Sequence, residues 1–451
     1  MGHEEIRVPP QNIEAEKSVL GAMMIDQDAL GSALEKLDES WFYEDAHRKI
    51  YRSIIELFSA HKTVDLITLS DKLKSEGLLE QIGGVSYLSK IIDFVPTSAN
   101  VEHYASIVKE KGVLRKLISN STRIISECYE AQGNIEDVVD NAERLIFEVS
   151  DLRQNQQAVH IKDLVKKNIE ELDRLSQRKQ HITGIPTGFE KIDHMTSGLQ
   201  NSDLLIIAGR PSMGKSALAV SMMQYAAVEH KYAVAFFSLE MSSSQLGQRM
   251  LGSQARVDGY KLRNGHLKSE DWPSLTKAAS ELSKAKVFID DTPAISVLEL
   301  RAKARRLKAN FNIQLLIVDY LQLMRSSIRT SNRQEEISEI SRSMKALAKE
   351  LNIPIIALSQ LSRAVENRQD RKPQLSDLRE SGAIEQDADL VMLLVREEMY
   401  EPTEENKGIA MVHLAKHRNG PTGEIKLSFI KEYMRFENLA ASREENLAHV
   451  E

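Results

Sequence analysis

Apolar positions recur at helical spacing from residue 11 to about 150. Ile13, Val19, Leu20, Met23 and Met24 open a pattern that predicts helices throughout this stretch. Near its end two longer segments, Tyr104 to Tyr129 and Ile135 to Val149, flank a Gly133-Asn134 turn. Their stripes set Ile107, Val108, Leu114, Leu117, Ile118, Ile124 and Ile125 against Val138, Val139, Ala142, Leu145, Ile146 and Val149, and predict an antiparallel helical hairpin. Such a hairpin packs either on its own domain or on a second copy. The polar run Asp151 to Gln157 reads as a linker. An amphipathic helix follows over Ile161 to Arg178, with Ile161, Leu164, Val165, Ile169, Leu172 and Leu175 on one side; it docks on its own chain or on a neighbour.

From Gly184 the pattern changes to short apolar runs separated by helical stretches: Leu204 to Ala208, Ala233 to Leu239, Val287 to Ile289, Leu315 to Val318, Ile355 to Leu358 and Leu390 to Val395. Continuous runs of this kind mark strands covered on both faces, hence a parallel sheet in an α/β domain. The last two runs, Ile409 to Ala415 and Ile425 to Phe429, are joined by Asn419-Gly420-Pro421 and predict an antiparallel hairpin. The expected boundaries are therefore an all-α domain over 1–150, a linker over 151–183 and an α/β domain over 184–451.

The strand Leu204 to Ala208 runs directly into Gly209-Arg-Pro-Ser-Met-Gly-Lys215-Ser216, which fits the phosphate-binding pattern G-x-x-x-x-G-K-[ST]. Glycines at both ends let the backbone curl its N–H groups toward an anion. Lys215 supplies a cation, the Ser216 hydroxyl suits magnesium, and the helix beginning near Ala217 points its positive end at the same place. The chain is thus expected to bind a nucleoside triphosphate, with Mg2+.

Composition changes this picture little. The 451 residues carry 42% hydrophobic and 28% charged side chains, ordinary for a globular protein of two or three domains. Cys128 is the single cysteine, which excludes an intramolecular disulfide, and its apolar helical setting suggests core filler. The acidic start Met-Gly-His-Glu-Glu-Ile lacks a secretion core and no run reaches membrane-spanning length, so a cytoplasmic protein is expected. With a net charge of -7, any nucleic-acid site must be a local patch.

Cleavage of a phosphoanhydride needs an acid for the metal, a base for water and positive charge at the leaving phosphates. Asp319 closes one strand and Asp290 and Asp291 another; the longer run and single acid favour Asp319 without deciding the matter. Glu240, after the next strand, is a general base or a helix cap. Gln360 ends a strand where it can sense a γ-phosphate. Lys416 and Arg418 sit at a turn, either solvated or projecting into a neighbour's site. Arg363, Arg368, Arg371, Lys372 and Arg379, joined by Arg325, Arg329 and Arg333, form the best phosphate-contacting patch for a nucleic acid.

Seven segments together resemble the DnaB family of bacterial replicative helicases along essentially the whole chain: Pro9 to Glu16, Gly209 to Ser216, Phe237 to Met241, Ile317 to Gln322, Ala357 to Arg363, Asp377 to Gln386 and Lys416 to Gly420. The resemblance implies a RecA-like ATPase domain over 184–451, behind an N-terminal collar domain, in a hexameric ring that moves 5′ to 3′ on single-stranded DNA and unwinds the replication fork. It implies ATP held by Ser212, Gly214, Lys215, Ser216, Ala217 and Arg249. Magnesium would lie on Ser216 and Asp319 rather than on Asp290 or Asp291, with Glu240 activating water and Gln360 sensing the γ-phosphate. Lys416 and Arg418 would reach in from the adjacent subunit, and Arg379, Glu380 and Gly382 would grip the DNA backbone. The helical hairpin becomes a dimer contact in the collar, 161–178 a helix seated on the next ATPase domain, and primase and a helicase loader the expected partners. A RecA-type recombinase and a KaiC-type ATP-driven switch are the rival readings; the collar and the loop at Arg379 argue against both.

Overall fold

The structure, a computed structural model, describes residues 8–95, 97–130, 135–151, 161–162, 165–166, 169–170, 173, 182–325, 332–368, 371–378 and 382–439. It divides into two compact units, Met1–Ile161 and Lys162–Glu451.

The first unit is helical: α1 (Ile13–Ile25), α2 (Gln27–Lys36), α3 (Asp45–Ser59), α4 (Leu66–Ser75), α5 (Gly84–Asp93), α6 (Val101–Glu130) and α7 (Ile135–Asp151). Side-chain caps begin several of them: Asn12 accepts from Ala15 N, Asp26 from Asp28 N, and Asp65 closes a capping box with Thr68. The core gathers Leu20, Met23, Ile50, Tyr51, Ile54, Leu69, Leu73, Leu88 and Ile91, all fully buried. Each large side chain so removed from water contributes about 1.5–3 kcal/mol. Gly112 lets α6 cross Trp41, for a Cβ there would lie 2.2 Å from the indole. One polar network is sealed inside: His47 bridges Glu16 (2.6 Å) and the Tyr87 hydroxyl (2.9 Å), and Glu16 also accepts from Tyr43 N (2.6 Å).

Helices α6 and α7 run antiparallel, Asn120 donating to the Leu145 carbonyl (2.7 Å) and Asn141 bonding Glu127. Their Gly133-Asn134 turn lies outside the described residues. Leu145 and Val149 are buried, whereas Leu117, Ile118, Ile125, Val139 and Ile146 stay exposed. Cys128 is exposed too, so the expectation of a core filler fails: it lies in the half of α6 that leaves the core. Much of the expected helix 161–178 lies outside the described residues.

The second unit is built on a nine-stranded sheet of order β3-β2-β4-β5-β1-β6-β7-β8-β9. The strands are β1 (Leu204–Gly209), β2 (Val234–Ser238), β3 (Val287–Asp290), β4 (Leu315–Asp319), β5 (Ile355–Gln360), β6 (Leu390–Val395), β7 (Ile409–His417), β8 (Gly423–Ile430) and β9 (Arg435–Asn438). β1 to β6 are parallel, and β7 to β9 join antiparallel at the edge. Around them come α8 (Glu190–Thr196), α9 (Lys215–Gln224), α10 (Ser243–Ala255), α11 (Gly259–Asn264), α12 (Asp271–Lys284), α13 (Val297–Phe311), α14 (Arg333–Leu351) and α15 (Gly382–Asp387).

The two-residue period of a strand explains the unbroken apolar runs. Leu205, Ile207, Ile317, Ile356 and Met392 pack on one face with α9 and α10, while Leu204, Ile206, Leu316, Ile355 and Val391 pack on the other with α13 and α14. The four-residue strand β9 was not expected; it is half-exposed apart from Phe436 and pairs only with β8.

Candidate nucleotide site

The carboxyl ends of the parallel strands form one edge, where open α/β sheets take their ligands. Register places Gly209 level with Gln360 of β5 and Leu394 of β6, and Asp319 level with Ser238 of β2. The loop after β1 depends on backbone that only some residues adopt. Gly214 has φ +98°, and a Cβ there would meet the Phe436 ring at 3.1 Å. Ser212 also has positive φ, at 67°. Met213 is buried in the core and anchors the loop.

Lys215 opens α9 and folds back over the loop, donating to the carbonyls of Gly209 (3.0 Å) and Arg210 (3.3 Å). Burial pushes its ammonium below the usual lysine range, against the pull of Asp319 and Glu240. Ala217, one turn into the core, is fully buried.

Asp319 is 2% exposed, and its Oδ1 has no hydrogen-bond partner. Burial raises its carboxyl above the ordinary range and Glu240 adds to that; a hydrogen bond with Ser216 and the charges of Lys215 and Arg249 act the other way. A buried carboxylate oxygen without a partner, beside a serine hydroxyl, fits a hard cation with oxygen ligands. Among the described residues no group of three or more His, Cys, Asp or Glu could hold a metal alone. Magnesium is commonly held by one or two carboxylates with substrate phosphates completing the shell. The rival acids are engaged elsewhere: Asp290 with Lys303 (2.9 Å) and Thr292 N (3.0 Å), Asp291 with Ser243 N (2.6 Å).

Glu240 follows β2 and is exposed. It is not the cap of α10, because Ser242 fills that position in a capping box with Gln245. Arg249, on the same helix, is half-buried; burial depresses its guanidinium, with Asp319 and Glu240 opposing. Ser216, Glu240 and Arg249 line one side of a cavity of about 790 Å³ whose other walls include Tyr260, Arg263 and Tyr433. That is ample for a nucleotide-sized ligand. Gln360 is clamped through its backbone by Gln322, which accepts from Gln360 N (3.3 Å) and donates to its carbonyl (3.3 Å) and to Ser359 Oγ (2.9 Å).

Lys416 and Arg418 do not join this edge. Arg418 N donates to the carbonyl of Asp389 (3.0 Å), whose side chain accepts from Leu204 N at the start of β1. The phosphate loop begins at the other end of that strand, about 16 Å away at the usual rise per residue, farther than an arginine side chain extends. In the expected DNA patch, Gly382 is exposed at the start of α15, and Arg379, Glu380 and Arg329 lie outside the described residues. Arg368 is held by Asp377, and Arg333 bonds Glu336 and the Gln322 carbonyl, so these two are engaged within the fold.

Two supports of the loop escaped sequence reasoning. Arg396, 6% exposed, stacks on Phe429 (4.0 Å to the ring centre) and donates to the Ser212 carbonyl (3.4 Å). Arg210 bonds Glu366 (2.8 Å) and the Leu361 carbonyl (2.9 Å), tying the loop to the segment after β5.

Fold and site together define a RecA-like P-loop ATPase behind a helical domain. The family model described as the DnaB-like helicase C terminal domain matches residues 184–438, and the corresponding N terminal domain model matches 8–110. The chain is 50% identical over 96% of both proteins to the replicative DNA helicase DnaB of Geobacillus stearothermophilus, and 48% identical over 96% of itself and of the partner sequence to the replicative DNA helicase DnaC of Bacillus subtilis. The solved structure of a DnaB-like replicative helicase, described with its interactions with primase, is 32% identical with a TM-score of 0.73, covering 95% of this chain and all of that one. A second solved structure, of an ATPase domain alone, is 39% identical with a TM-score of 0.60, over 63% of this chain and all of that one. The chain belongs to the DnaB family of ATP-dependent replicative DNA helicases. No described helix is long and apolar enough to cross a membrane.

Proposed function

We propose that the chain assembles into a hexameric ring that draws single-stranded DNA through its centre in the 5′ to 3′ direction and unwinds a fork by strand exclusion. The observation that carries the shared-site part of this reading is the separation of charge across the sheet: the phosphate loop, Ser216 and Asp319 lie at one edge, Lys416 and Arg418 at the other. Two such edges, from neighbouring subunits, complete one site.

In that site the loop from Ser212 to Ala217 cradles the phosphates of ATP, with Lys215 turning from its backbone carbonyls to the anion. Ser216 and Asp319 would hold Mg2+, which when bound neutralises charge at the phosphates. Glu240 accepts a proton from the attacking water, Arg249 supports the nucleotide, and Gln360 reads the γ-phosphate through a backbone already held by Gln322. Lys416 and Arg418 of the next subunit stabilise charge in the transition state. Arg379, Glu380 and Gly382 grip the DNA backbone, so binding tolerates any sequence and weakens with salt. The exposed apolar face of α6 and α7 pairs copies in an N-terminal collar, and 161–178 seats on an adjacent ATPase domain. Primase, as for the solved relative, and a helicase loader are the partners, in the cytoplasm at replication forks. The domain boundaries 1–150, 151–183 and 184–451 follow this division of labour.

The test is a forked DNA with a free 5′ tail, beside a 3′-tailed control, with ATP and magnesium. Unwinding of the first alone, with ATPase activity stimulated by DNA, is expected. Equal unwinding of both forks, or hydrolysis indifferent to DNA, refutes the reading.

A further inference from the structure

At the edge of the sheet away from the phosphate loop, one carboxylate meets three parts of the fold. Asp389, 5% exposed, sits just before β6. Its Oδ2 accepts from Leu204 N (2.8 Å), the first residue of the strand that ends in the phosphate loop, and from Lys345 of α14. Lys345 also donates to the Ser202 carbonyl (2.8 Å). Asp389 Oδ1 faces Arg418 Nε at 3.7 Å, and the Asp389 carbonyl accepts from Arg418 N (3.0 Å).

The two turn cations have a second anchor. Arg418 donates to the Gln386 carbonyl, and Lys416 to the carbonyls of Glu385 and Gln386 (3.2 Å for the latter). These carbonyls belong to the last turn of α15, where helix oxygens lack intrahelical partners and carry the negative end of the dipole. The Arg418 side chain is nonetheless 49% exposed: its guanidinium is held at Nε and at one terminal nitrogen, while about half of the side chain stays accessible. That is what a cation needs if it must act on a group outside its own subunit without first being ordered, since stabilisation by a charge already in place costs no reorganisation during reaction.

We propose that Asp389 is a positioning residue for Lys416 and Arg418, setting the direction in which these cations leave the sheet. This rests on the reading of both as acting on the neighbouring subunit's nucleotide. Asp389 touches no substrate; it acts through Arg418, and through Leu204 it keys the cationic turn to the strand that carries its own subunit's phosphate loop. Lys345 balances the carboxylate when Arg418 is engaged elsewhere.

The test uses full-length rings with DNA. Asp389→Asn keeps an oxygen for Leu204 N and removes the charge. It is expected to leave ring assembly and KM for ATP within about twofold and to lower kcat about tenfold, the split of an interaction made only in the transition state. Asp389→Glu recovers most of the loss. In an Arg418→Ala background Asp389→Asn adds less than about twofold, because the two residues act through one path. A full tenfold loss in that background, or an unchanged kcat in the single variant, overturns the proposal. Should Asp389→Asn fail to assemble, Lys345→Gln keeps the charge facing Arg418 and is expected to retain kcat within about twofold even where its melting point falls; a tenfold drop there assigns the cluster to fold stability alone. Wild-type turnover by Arg418→Ala itself is a different result: it removes the cross-subunit role of Arg418, and the positioning of it falls as a consequence.

Discussion

The two edges of the central sheet are built on opposite terms. At the phosphate-loop edge Asp319 is buried with an oxygen unpartnered, Glu240 is exposed, and Lys215 donates to the loop's own carbonyls. At the other edge Asp389 meets Leu204, Lys345 and Arg418, while Lys416 rests on a helix terminus. Polar groups inside a protein are costly when unpaired. An edge that leaves one buried carboxylate oxygen without a partner can offer it to a ligand, and an edge whose charges are paired holds its cations in place.

The largest expected effects break the comparison outright. Lys215→Ala and Arg418→Ala should each lower ATP turnover about 10³-fold, the scale on which phosphate-clamping cations act. They differ in mixed rings measured by steady-state ATPase. Each Arg418→Ala subunit is expected to disable a site whose phosphate loop belongs to an intact neighbour, whereas each Lys215→Ala subunit should disable its own. A mixture of the two variants should therefore regain activity at sites pairing an intact loop with an intact cation. No recovery in such mixtures would show that loop and cation act within one chain.

A smaller effect tests the phosphate-loop edge. Burial raises the Asp319 carboxyl, so holding it ionised opposes folding. Asp319→Asn should stabilise the nucleotide-free protein at pH 8, by about 1–3 kcal/mol, while magnesium-dependent hydrolysis is lost. Thermal melts without nucleotide check the first half and ATPase assays the second; a lower melting point would mean that the carboxylate is a structural partner after all.

The smallest effect probes the paired edge. Asp203 is pushed to about 6 by burial and by Asp389, with Lys345, His417 and Arg418 opposing. Since its folded pKa lies above the ordinary 3.8, the folded state holds the proton more tightly, and stability from this group declines as pH rises from about 4 to about 6. The melting point of Asp203→Asn relative to wild type should climb across that window and level off above it. A flat difference would remove Asp203 from the cluster's electrostatics.

Much of this was legible in the chain. Helical periodicity before residue 150 and unbroken apolar runs after 184 marked a helical domain and an α/β domain, because burial on one stripe and burial on two faces leave different patterns. Strands β1 to β8 were foreseen. β9 was not, because four half-exposed residues have no periodicity to read and gain their place only by pairing with β8. The candidate site was legible where its chemistry is local, as in Gly209 to Ser216. Glu240 and the rival acids, by contrast, were separated in the sequence only through the family resemblance; the physical reasons came with the fold, where Ser242 takes the cap and Asp290 and Asp291 are engaged by Lys303, Thr292 and Ser243. The supporting roles of Arg396, Arg210, Gln322 and Asp389 were not legible, although Arg210 and Gln322 lie within recognised segments, since each matters for a contact 37 or more residues away in the chain.

What the sequence determined by itself was the identity of short-range devices: helices, buried strands, a loop whose glycines turn its amides toward an anion. Which acid kept an oxygen without a partner, and which cations were held far from the phosphate loop, was decided only when parallel strands brought distant residues level. Charge and hydrogen bonding act over a few ångströms of space, and distance along the chain does not enter into them.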